Sequence, residues 1–234
     1  MCPVRPSRPT GPFNFPAVRR LREALGMDPG HVAYGMRAGY GLGHVTPDTV
    51  IAWERGLATP DATELAALAG TLWCSPGDLM GAATTLREHR LARGLAPEDV
   101  ARGAGVELQA YLRMEETGRW RGSPRQSADL ARTLRLTLPD LVTVTGRADE
   151  LAELLRSAVT TRWQGYTRPV SKLLAVDKRT VEGPLRRLHE TYQSRMVRTL
   201  SWGGGASADA SGHAGRDFLD RILDHFWPLL PDAS

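Results

Sequence analysis

The chain has 234 residues, a formal charge of +4, 41% hydrophobic residues and only two cysteines, Cys2 and Cys74. Two cysteines are too few for a disulfide framework, and no Cys or His spacing suggests zinc. No apolar run approaches the ~20 residues of a membrane span, and Met1–Pro16 does not resemble a signal peptide. The expectation is a cytoplasmic protein without metal or cofactor, long enough for two to four small domains.

In chain order, residues 1–16 read as a disordered tail, because Pro3, Pro6, Pro9, Pro12 and Pro16 oppose regular structure. A repeat follows, expected over 17–83 and 84–147. Leu21-Arg22-Glu23 opens one copy and Leu86-Arg87-Glu88 the other. The copies close on Trp53-Glu54-Arg55-Gly56 and Met114-Glu115-Glu116-Thr117-Gly118. Apolar residues recur at helical spacing between Pro-marked turns, with no alternating strand pattern, so the fold class is all-α. Each copy then contains a helix, a short turn and a second helix, a unit that commonly presents one helix to a DNA major groove.

In the first copy, Thr46 is a suitable N-cap with Pro47 at the first helical position. The outward positions of that helix are Pro47, Asp48, Thr49 and Ala52. Gly35, Gly39, Gly41 and Gly43 suggest a long Gly-rich turn before it. In the second copy Ala104-Gly105-Val106 forms the turn, with Gly105 able to take positive φ. Leu108, Gln109, Ala110 and Arg113 face outward, and Gln and Arg can pair with base edges. Arg119 and Arg121, flanking Trp120, are candidates for phosphate contact.

Charge concentrates further on. Residues 1–155 are balanced, with 18 Arg against 18 acids. Residues 156–200 hold eight Arg and two Lys against three acids, or +7, and residues 201–234 hold two Arg against five Asp, or −3. Residues 148–200 read as a third helix-turn-helix, in which Asp177 caps a helix beginning Lys178-Arg179-Thr180. Those three residues are candidates for DNA contact, and Lys172, Arg186 and Arg187 for phosphate. Pro184 requires either a kink or a fresh helix start. A flexible linker is expected over 201–215 and a C-terminal amphipathic helix over 216–234. Its stripe of Phe218, Leu219, Ile222, Leu223 and Phe226 could cover the chain's own core or form a homodimer.

Both copies resemble the Cro/repressor (Xre-type) helix-turn-helix domains of bacterial and phage regulators. The resemblance rests on Leu21-Arg22, Val45-Thr46, Thr49-Val50, Trp53-Glu54-Arg55-Gly56 and Leu68-Ala69. In the second copy it rests on Leu86-Arg87, Gly94-Leu95, Val100-Ala101, Gly105-Val106, Glu115 and Leu130-Ala131. Where the family commonly carries a phosphate-contacting Gln, the chain has Pro29 and Pro97. The third segment resembles the LuxR-type signature over about 20 residues, although Pro184 departs from it. These resemblances imply a sequence-specific transcriptional regulator associated with the nucleoid and bound to double-stranded DNA. The alternative is an adaptor whose repeats bind a protein such as RNA polymerase while the basic segment holds DNA. No nucleophile–base set points to an enzyme, and His89 and His189 read as helix-surface residues.

Overall fold

The computed structural model describes residues 13–201 and 215–231. The described residues are helical, with a single isolated bridge between Phe13 and Met80 and no named strand. The chain divides into two units. One comprises the residues up to Gly118 together with Asp129–Arg135; the other comprises Arg119–Ala128 and the residues from Leu136 onward. The expected tail is shorter at its described end. Phe13 bridges Met80, the Asn14 side chain accepts the Ala17 N–H, and helix α1 (Phe15–Ala24) starts there. The rest of the tail, 1–12, lies outside the described residues, as do 202–214 of the expected linker.

In the first unit α1, α2 (Pro29–Tyr40), α3 (Pro47–Glu54) and α4 (Ala62–Thr71) enclose Val18, Val32, Met36, Val50, Trp53, Leu65 and Leu68. Local chemistry sets the helix starts. Asp28, Thr46 and Asp61 each cap the backbone N–H three residues on, and Pro follows the first two caps. Gly35 lets α2 approach α4, since a Cβ there would lie 2.8 Å from a Thr71 methyl. The expected Gly-rich turn is mostly helix: α2 runs through Gly35 and Gly39 and ends at Gly41, where φ is +69°.

The second copy uses α5 (Leu86–Ala92), α6 (Pro97–Gly103) and α7 (Leu108–Thr117). Leu91 of α5 joins the first copy's core. Gly105 takes φ +65° in the α6–α7 turn, as its position requires. Helix α8 (Pro124–Leu134) buries Leu130 and Leu134 in this unit.

The two copies share a buried ion pair that corrects the repeat alignment. Arg22 donates from Nε (2.5 Å) and Nη2 (2.9 Å) to Glu54, and from Nη1 to the Met27 carbonyl at 2.7 Å. Arg90 does the same with Glu115, at 2.7 and 3.1 Å, and with the Leu95 carbonyl at 3.0 Å. The equivalent of Arg22 is therefore Arg90, not Arg87. The identical triplet at Leu86-Arg87-Glu88 serves another purpose, with Glu88 completing the capping box of Thr85. Hydrogen bonds to Glu54 raise the Arg22 guanidinium further above its ordinary range. Burial opposes charge on Arg90, but its bonds to Glu115 outweigh that and raise it too. The Tyr111 hydroxyl adds a 2.6 Å bond to Glu115; burial, then that bond, raise its pKa.

In the second unit α9 (Leu138–Val144), α10 (Ala148–Thr160), α11 (Thr167–Leu174) and α12 (Lys178–Ser201) precede α13, described over 215–220, and α14 (Ile222–Phe226). The core contains Leu151, Leu155, Val159, Val170, Leu174, Val181, Leu185 and Leu188. Phe218, Ile222 and Phe226 lie in the same core, so the C-terminal stripe covers its own unit, the first of the two occupants left open. The expected single helix is broken at Arg221 and ends in a 3₁₀ turn, Trp227–Leu229. His225 stacks on Phe218 at 4.4 Å, and burial, then Arg195 and Arg221, hold its pKa below the usual 6.5. A base whose folded pKa is depressed loses stability progressively as pH falls from the unfolded value toward the folded one, and the loss is complete once both states are protonated. We therefore expect α13–α14 to loosen as pH falls below 6.5. Amide exchange should report this, and His225→Phe should flatten the dependence.

Candidate nucleic-acid interface

In the basic segment α11 and α12 are joined by a short turn over residues 175–177. Ala175 ends α11 in the left-handed region at φ +55°. Asp177 Oδ1 accepts the Arg179 N–H at 2.8 Å, the expected cap. The structure resolves the question raised by Pro184 in favour of continuity: α12 passes through it. Val181, Leu185 and Leu188 are at most 1% exposed on the side facing the core, and this burial holds the helix across the lost backbone bond.

With Val181, Leu185 and Leu188 inward, the opposite face carries the charge. Arg179 and Arg186, seven residues apart, lie on one line roughly 10 Å long at 1.5 Å per residue. Arg187 is exposed beside them. Lys178 pairs with Glu182 at 3.8 Å and Arg186 with Glu190 at 3.9 Å, exposed contacts that exchange readily with water or phosphate. The side chains of Arg179 and Arg187, and Lys172 on α11, have no partner among the described residues. Thr180 is half-buried and so less available. Sequence reading missed Arg162 and Arg168, which are exposed on the same unit with unpaired guanidinium groups. A guanidinium just before Trp163 was the available signal.

The repeats place their candidates differently. Pro47 and Asp48 are exposed at the start of α3, whereas Thr49 and Ala52 are half-buried. The Thr49 hydroxyl is occupied by the Thr46 cap, accepting the Thr46 N–H at 3.2 Å. On α7, Gln109 and Arg113 are exposed, while Leu108 and Ala110 are half-buried rather than outward. Glu107 caps α7 by accepting the Gln109 and Ala110 N–H groups at 2.8 and 2.9 Å, which lowers its pKa. This carboxylate occupies the helix terminus that would otherwise attract phosphate. Arg119 and Arg121 belong to the second unit, not to the unit of α7 with which they were grouped. Between them Trp120 is buried and its indole N–H donates to Ser127 Oγ at 2.8 Å.

Charge separates along the same division. Among described residues the first unit has 12 Arg against 14 acids, −2, and the second has 14 Arg and two Lys against 10 acids, +6. Among the described residues no group of His, Cys, Asp and Glu could hold a metal, and no helix is long and apolar enough to cross a membrane. Comparison with family models, curated proteins and solved structures returned no match.

Proposed function

We propose that this chain is a DNA-binding regulator whose principal duplex contact is the α11–α12 pair of the second unit. The observation that carries the reading is the outward line of Arg179 and Arg186, with Arg187 exposed beside it, on the unit that holds the positive charge. Phosphate neutralisation supplies most non-specific affinity, and residues at the start of the second helix are those that reach base edges. Lys178 and Arg179 occupy that start; Lys172, Arg186 and Arg187 flank it. Such a protein would be found on the nucleoid.

The test is charge reversal in the full chain. Arg179→Glu with Arg186→Glu should weaken binding to mixed-sequence duplex roughly 10- to 100-fold in dilute salt, and reduce the logarithmic salt slope by about 2. Binding that retains both affinity and slope would remove α12 as the contact.

A second reading concerns the repeats. The first unit's net −2 and the Glu107 cap favour a protein partner over a phosphate backbone. Gln109→Ala with Arg113→Ala distinguishes the two readings: base readout by α7 requires an altered site preference, whereas protein docking leaves it unchanged.

A further inference from the structure

Beside α12 lies a surface cavity of about 500 Å³ lined by Thr161, Arg162, Trp163, Gln164, Gly165 and His189. Its walls combine one cation, several hydrogen-bonding side chains and no carboxylate. The Arg162 guanidinium has no partner among the described residues. His189 Nδ1 is buried without a hydrogen bond. A buried N–H without an acceptor is costlier than a bare lone pair, so neutral His189 carries its proton on Nε2. Nε2 is neither buried nor bonded among the described residues, so His189 offers an open donor. His189 also lies three residues beyond Arg186, and residues at that spacing are neighbours on a helix surface.

We infer that this cavity is a phosphate seat, in which Arg162 and His189 hold a backbone phosphate of the same duplex that α12 contacts. The inference rests on the DNA-binding reading for the source of the phosphate, but not for the chemistry of the seat. A guanidinium and an imidazole N–H are donors without acceptor competition, which suits a phosphodiester oxygen. Contacts of this kind fix the register of a helix on the duplex and carry no base preference. Gln164 is exposed at the rim, whereas the Thr161 hydroxyl already donates to the Ser157 carbonyl at 2.6 Å and leaves the seat to Arg162 and His189.

Two measurements on the full chain test the seat. In duplex titrations over a salt series, Arg162→Ala should weaken binding roughly three- to tenfold and reduce the salt slope by about 0.9, and His189→Gln should weaken binding with the slope unchanged, site preference being unchanged in both. In a titration with inorganic phosphate followed by NMR, the His189 imidazole signals should shift and saturate, and Arg162→Ala should abolish the shift. Arg162 is exposed and unpaired, so its replacement leaves the fold intact. If neither readout responds to Arg162→Ala while the Arg179/Arg186 reversal still weakens duplex binding, the seat is refuted and the regulator reading stands. If the chain holds no duplex but phosphate still moves His189, the seat stands for a free phosphate and its assignment to DNA is overturned.

Discussion

Glu54→Ala is expected to destabilise the first unit by about 3–5 kcal/mol, the cost of leaving a buried guanidinium without its counter-ion. Both side chains of the pair are at most 10% exposed, and Arg22 makes two bonds to the lost carboxylate. The magnitude reflects desolvation more than attraction. In water the pair would gain little; buried, an uncompensated Arg22 cannot recover its hydration. A double-mutant cycle isolates this effect. Arg22→Ala with Glu54→Ala should cost much less than the sum of the singles, because no lone charge remains. Glu115→Ala should behave alike in the second copy and additionally strand the Tyr111 hydroxyl. Denaturant unfolding measures all four variants, and a loss below about 1 kcal/mol for Glu54→Ala contradicts the argument.

Phe218→Ala should cost the second unit about 3–5 kcal/mol. Its ring is fully buried, 5.6 Å from Tyr192, with Arg195 at 4.9 Å and His225 stacked at 4.4 Å. Truncation removes the side chain on which all three converge. Amide protection should fall first in α13 and α14, ahead of α10. Uniform loss of protection across the unit would show that the C-terminal segment unfolds only together with the rest.

These effects trace back unequally to the sequence. Thr46-Pro47, Asp177 and Gly105 announced their roles because a cap or a positive-φ turn is settled by a few adjacent residues. The all-α class followed from apolar spacing in the same way. The Arg22–Glu54 and Arg90–Glu115 equivalence did not, since it joins residues 32 and 25 positions apart. The local Leu-Arg-Glu identity pointed instead to Arg87. His89 read as a surface residue yet is 8% exposed, because α5 has more than one covered face. Helix α2 absorbed two glycines that intrinsic propensity assigns to a turn, since its packing against α4 demands a small residue at Gly35. At the candidate interface, Arg179, Arg186 and Arg187 were legible from charge density. Arg162 and His189 were not, because only the fold brings them together.

The paired clasps also bear on how the chain reaches its native state. Each copy closes by the same chemistry, so a guanidinium from one α-hairpin can be claimed during folding by the carboxylate of the other. Mispairing of this kind is the characteristic error of tandem arrays. The copies differ in one respect that opposes it: 12-residue α2 against seven-residue α6. That disparity sets unequal spans between each clasp's halves, so an exchanged closure would have to accommodate the wrong length of intervening helix.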